Sequence, residues 1–216
     1  MAFSLNEIEV MCKRAARGAG LSWGLAEEAG KAARWLSSHG LPGPEELAEI
    51  LTRNDGRSYD ELAPGSVQGI WCAPSGRLCP LISGAALSDR AADIANGRTI
   101  EFGAISQPLL LAPYAAAAAV QTGKSLGLHW SGVIMAIAPE SVSIEGDPAA
   151  VAARSADWVR CRLGDGAMNA VVSRTLVRTV DAETWSRLSA FAQRTFAPAT
   201  EASRLAGAGA GLTDND

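Results

Sequence analysis

The run Ser4-Leu-Asn-Glu-Ile-Glu-Val-Met-Cys-Lys-Arg-Ala-Ala-Arg-Gly-Ala-Gly-Leu-Ser22 sets the character of the first third of the chain. Ser4 and Glu7 have the S-x-x-E spacing of a capping box, in which each side chain satisfies a backbone N–H that the helix leaves without a partner. Ile8, Met11, Cys12, Ala15 and Ala19 then recur at helical spacing and form one apolar stripe. Gly18 and Gly20 end that helix, and Ser22 is an N-cap for a second one running to about Ser38. Leu25, Ala29, Ala32, Ala33 and Leu36 make its buried face, and the small residues among them let a neighbouring helix come close. Glu27 precedes Lys31 by one turn, in the favourable order for an ion pair. Pro44 opens a third helix, with Glu45 and Glu46 at its positive end. From Asn54-Asp-Gly56 to about Gly65 the chain reads as a polar loop.

Strand patterns begin after that loop. Ile70 and Cys72 mark a short strand, and a helix is expected from Ala85 to Ala95, ended by Asn96-Gly97. Ile100, Phe102 and Ala104 alternate with polar residues or glycine, the period of a strand with one face buried. Pro113 to Gly123 reads as an alanine-rich helix with Gly123 as its stop. Leu126 to Leu128 is strand-like. Val133 to Ala138 is an apolar run too short for a helix, so a buried strand is expected. Pro139-Glu140 turns the chain into Val142 and Ile144, completing a hairpin. Val159, Cys161 and Leu163 alternate with Arg160 and Arg162. Val171 to Val180 is a longer β-branched stretch, after which Asp181 caps a helix with Trp185, Leu188, Phe191 and Ala192 on its apolar face. Helices first, then mixed strands and helices, predict an α+β fold: one domain over 1–197, with a helical N-terminal lobe over 1–53 and a mixed sheet flanked by helices.

Composition narrows the function. Nineteen Lys and Arg against twenty-three Asp and Glu give a net charge of −4, which argues against nucleic acid as a partner. No apolar stretch is long enough to span a bilayer, and the N-terminus lacks the regions of a signal peptide, so a cytoplasmic location is expected, with no membrane partner. Cys12, Cys72, Cys79 and Cys161 are scattered, as in a protein with reduced thiols. Cys72 and Cys79 stand too far apart for a structural zinc pair and read as two half-buried core thiols, so no metal and no cofactor is expected.

Three further signatures fail on context. Gly20-Leu-Ser22-Trp-Gly24 matches the nucleophile-elbow pattern, but a helix precedes it where a strand is required. Ala118 to Ser125, with alanine in the first glycine position, is a loose phosphate-loop match, but a helix precedes it and a strand follows, the reverse of what cradles phosphate. Gly207-Ala-Gly209-Ala-Gly211 is part of a dinucleotide fingerprint with no helix to follow it.

The tail, 198–216, is glycine-rich and ends in Asp214, Asn215 and Asp216. Together with Ala16 to Gly30, the segment Ala206 to Asp216 resembles an uncharacterised bacterial family catalogued as a domain of unknown function. The similarity is expected to span nearly the whole chain. That resemblance implies a bacterial protein of similar length and brings no activity, ligand or catalytic residue with it.

Two functions follow as expectations. In the first, the protein is an accessory or small-molecule-binding protein. Its tail engages a protein partner or a site, with Arg17, Arg204, Gly209, Gly211, Asp214 and Asp216 as the binding residues. In the second, it is a lyase or hydrolase using His129 with a carboxylate from Glu27, Glu28 or Asp214. The enzyme reading requires His129 within hydrogen-bond reach of a carboxylate inside a pocket. Homodimerisation through the small-residue helix faces can accompany either.

Overall fold

The computed structural model describes residues 1–164 and 172–196. The protein is α+β. Its helical front is built as the caps dictate. The helix α1 (Leu5–Gly18) starts at Ser4, whose backbone N–H donates to Glu7 Oε2 at 2.8 Å while its hydroxyl accepts from the Glu7 N–H at 3.3 Å. The helix α2 (Trp23–Ser38) starts at Ser22, and α3 (Gly43–Asn54) carries Pro44 in its first turn with Glu45 and Glu46 behind it.

Helices α1 and α2 lie together because Gly30 lets them. A Cβ there would stand 2.8 Å from the Glu9 carbonyl oxygen and 2.9 Å from Lys13 Cβ. Ile8, Cys12, Ala15 and Ala16 of α1 and Ala26, Ala29, Ala33 and Leu36 of α2 are fully buried. Lys13 reaches across this packing to Glu27 at 3.3 Å, and within α2 Lys31 meets Glu27 at 3.2 Å and Glu28 at 3.0 Å. These pairs are half exposed, so their contribution is small.

The expected polar loop contains a turn of helix, α4 (Tyr59–Leu62), opened by a second capping box. The Ser58 N–H donates to Glu61 Oε2 at 2.9 Å, and the Glu61 N–H donates to Ser58 Oγ at 3.4 Å. The expected helix over 85–95 is instead two, α5 (Pro80–Ser88) and α6 (Ala91–Ala95), divided at Asp89-Arg90. Pro80 opens α5 five residues earlier than the apolar pattern suggested.

The main sheet has six strands in the order β2 (Ile70–Trp71), β3 (Ile100–Phe102), β9 (Val159–Leu163), β5 (Leu126–Trp130), β6 (Val133–Ile137) and β7 (Val142–Gly146). The β2–β3 pair is parallel and the rest are antiparallel, so the sheet is mixed. Its inner face carries Ile100, Phe102, Leu128, Trp130, Met135 and Cys161, all buried under α7 (Ala112–Thr122) and its neighbours. Gly123 ends α7 in the left-handed conformation at φ 65°.

The outer face explains one correction. Strand β6 alternates, with Val133, Met135 and Ile137 buried and Ile134 43% exposed, so it is half-buried and not sealed on both sides. It lies one place from the sheet edge, and only its inner face meets helices.

Two small pairs close the fold: β4 (Ile105–Ser106) with β8 (Ser155–Ala156), and β1 (Ala2–Ser4) with β10 (Val177–Thr179). The second pair brings the start of the chain against its late part. Of the β-branched stretch 171–180, only 177–179 pairs as a strand among the described residues. Helix α8 (Ala182–Gln193) is capped by Asp181, which accepts from the Thr184 N–H at 2.8 Å, and buries Leu188 and Phe191 against α1.

Candidate functional site

Two cavities are set into the helical side of the protein. The larger, about 650 Å³, opens where the ends of five helices meet. Helix bodies interdigitate, but helix ends diverge, and a void remains among them. The α1–α2 turn supplies Leu21 and Ser22, and α2 supplies Leu25. Ile50, Leu51 and Asn54 come from the last turns of α3, and Leu62 from α4. Cys79, Leu81 and Ile82 come from the start of α5. The wall is thus mostly aliphatic, with polar groups at a few places, which is the usual make-up of a small-molecule pocket.

Cys79 is the N-cap of α5 and is buried. Burial pushes its thiol up, against the opposing pull of the Ile82 and Leu81 N–H groups and the Asn54 side chain. It therefore presents a neutral S–H to the cavity and not a thiolate. Arg57 and Tyr59 stand at the exposed rim. The Arg57 backbone N–H is tied to the Asn54 carbonyl at 3.0 Å, while its guanidinium makes no ion pair among the described residues.

The second cavity, about 500 Å³, is a cleft between α2 and α7, floored by Ala32, Trp35 and Ala116 and edged by the β6–β7 turn. His39, the C-cap of α2, lies in its wall and is only 4% exposed. Its Nδ1 is 2.8 Å from the Trp35 carbonyl oxygen, an acceptor only, so Nδ1 carries the hydrogen and Nε2 the lone pair. Burial lowers the pKa of the ring, the Trp35 bond opposes that, and the nearby Arg174 charge adds to the lowering. Tyr114 also lines the cleft. It is 2% exposed, its hydroxyl has no hydrogen-bond partner among the described residues, and burial drives its pKa far up.

The residues singled out from the sequence fall as follows. Glu28 lines the α2–α7 cleft, while Glu27 is taken up by lysines on the surface. Arg17 does not pair with either glutamate: it donates to the Leu21 carbonyl at 2.7 Å and lies over the Trp23 ring at 4.9 Å. That makes it a brace for the α1–α2 turn.

His129 is on β5, in register with Arg160 of β9 and Ile134 of β6. Its neighbours Leu128 and Trp130 point inward, so His129 is on the outer face of the sheet, away from Glu27 and Glu28 and in the lining of neither cavity. Cys72 is exposed while Cys79 is buried, so the two are not a matched half-buried pair. Among the described residues no three His, Cys, Asp or Glu side chains gather as a metal site would need. Arg204, Gly209, Gly211, Asp214 and Asp216 lie outside the described residues, as does the 198–216 tail.

Sequence reasoning overlooked His39 and the cavity beneath Ser22. The signal for His39 was faint: a histidine at the end of a helix, four residues after a tryptophan. The cavity left none, because it is formed by helix ends that the chain brings together from residues 19 to 82.

No curated protein matches the chain. The family match covers the first third of the chain and contains residues 16–30 but not 206–216. Over residues 3–79, which include every lining residue of the larger cavity except Leu81 and Ile82, the chain matches the model of a family described as a protein of unknown function (DUF3726).

Proposed function

We propose that the protein binds a small amphipathic molecule in the larger cavity, with an apolar body among Leu25, Ile50, Leu51 and Ile82 and an anionic end at Arg57. The observation that carries this reading is the pairing of an aliphatic void of about 650 Å³ with a rim guanidinium that makes no ion pair among the described residues. Filling such a void removes apolar surface from water at about 25 cal/mol per Å². The rim guanidinium meets a carboxylate with a forked, charge-assisted bond. The high pKa of Cys79 assigns the thiol to the wall as a weak donor and not to nucleophilic chemistry. The four free cysteines fit a reducing, cytoplasmic setting, and no helix of the described residues is long and apolar enough to cross a membrane.

The test is calorimetric titration of the full chain with octanoate and with octanol. Octanoate binds saturably and octanol more weakly. Ile82→Trp, which fills the void, abolishes binding of both. Arg57→Gln weakens octanoate by roughly tenfold and leaves octanol unchanged. Failure of both ligands with the wild-type protein, or unchanged binding by Ile82→Trp, overturns the reading.

A further inference from the structure

The cleft between α2 and α7 carries an imidazole, which the larger cavity lacks. His39 is held in one tautomer. Its Nδ1–H is committed to the Trp35 carbonyl at 2.8 Å and lies 3.1 Å from Ser38 Oγ, and the ring rests against the Trp35 indole with centroids 4.2 Å apart. No described residue donates to Nε2, and that atom is not among the sealed, unsatisfied polar atoms of the interior. A side chain that is 4% exposed thus presents a bare acceptor to the cleft.

A further part of the wall is the segment bearing Arg174. It is pinned at both ends: the Val172 N–H donates to the Val142 carbonyl at 2.8 Å, and the Thr175 N–H to the Ser38 carbonyl at 2.7 Å. The second bond sets this segment beside the residue that precedes His39. Arg174 makes no ion pair among the described residues, whereas the cleft's other cation, Lys31, is already shared between Glu27 and Glu28.

A neutral imidazole acceptor needs a donor, and a guanidinium needs an anion. Of the other polar groups in the lining, Glu28 is neutralised by Lys31, and Tyr114, Gln121 and Ser141 carry no charge; the rest of the wall is apolar, with Ala32, Trp35, Ala116, Val120 and Val142. We infer that this cleft is a second ligand site, taking a small 2-hydroxy acid with an apolar side chain. The hydroxyl donates to His39 Nε2 and the carboxylate pairs with Arg174. A site arranged this way discriminates strongly against the same acid without its hydroxyl, because Nε2 is then buried unpaired. The inference does not depend on the larger cavity.

The experiment is ¹⁵N NMR of the imidazole nitrogens in the full chain, which has two histidines. The probes are mandelate and phenylacetate, which differ by the hydroxyl. Mandelate moves the Nε2 resonance of His39 saturably and leaves His129 in place, and phenylacetate binds at least about tenfold more weakly. Arg174→Gln weakens mandelate by about tenfold or more. His39→Asn, which keeps a donor for the Trp35 carbonyl while deleting Nε2, removes the preference for mandelate over phenylacetate. Octanoate, the probe for the other cavity, leaves His39 unmoved. The inference is overturned if mandelate leaves the His39 resonance in place, if phenylacetate binds equally well, or if Arg174→Gln binds mandelate like the wild type.

Discussion

The Nδ1–H of His39 donates to the Trp35 carbonyl one turn back, at 2.8 Å, and this bond fixes both the tautomer and the orientation of the ring. Burial, the largest influence on that ring, favours its neutral form and lowers its pKa from the ordinary 6.5. As pH falls below that value, the unfolded chain takes up a proton that the folded protein refuses. The contribution of His39 to stability is therefore complete above about pH 6.5 and declines towards the lower folded pKa. His39→Asn keeps a donor for the carbonyl and removes the titration. Denaturant melts at several pH values should show a shallower acid-side loss in the variant than in the wild type. Identical slopes contradict the assignment.

Glu46 titrates in the opposite sense. Its side chain is 7% exposed, with Oε2 unpartnered among the described residues, and burial chiefly, then Glu45 and Glu49, pushes its pKa up to about 8 from 4.5, against the pull of Arg154. The folded protein keeps a proton that the unfolded chain releases above 4.5. The stabilisation is full below that value and is lost as pH rises through about 8. Glu46→Gln stays neutral throughout. It should match the wild type near about pH 4 and exceed it by on the order of a few kcal/mol at about pH 9, by urea unfolding. An equal difference at both pH values contradicts this.

Two glycines of α2 should respond oppositely to alanine. A Cβ at Gly24 meets nothing within 4 Å, so Gly24→Ala should stabilise by roughly 0.5–1 kcal/mol through helix propensity alone. A Cβ at Gly30 meets the Glu9 carbonyl at 2.8 Å, so Gly30→Ala should cost about 1–3 kcal/mol by prising α1 from α2. Thermal melts of the two variants check both signs.

What the sequence made legible was local. The Ser4–Glu7 box, the Ser22 and Asp181 caps, the Gly123 stop and the 133–146 hairpin all depend on neighbours a few residues apart, and all are present. The same S-x-x-E spacing at Ser58 and Glu61 was legible too, but it introduces a single turn of helix with no periodic stripe behind it.

Pairings at long range were not legible. The contacts of β1 with β10 and of β2 with β3 join residues far apart, and nothing in a short strand names its partner. The candidate sites are of this second kind. His39 acquires its meaning from Arg174, and Cys79 from Asn54, across folds of the chain that no local spacing records.

The central claim is that the aliphatic void under the α1–α2 turn holds the apolar part of a ligand. Its most direct test is a methyl-detected NMR titration of the isoleucines with octanoate. The account predicts saturable shifts at Ile50 and Ile82, which line the void, and none at Ile134 on the outer sheet face or at Ile70. Shifts at Ile134 and Ile70 with Ile50 and Ile82 unmoved, or no shift at any isoleucine, would contradict it.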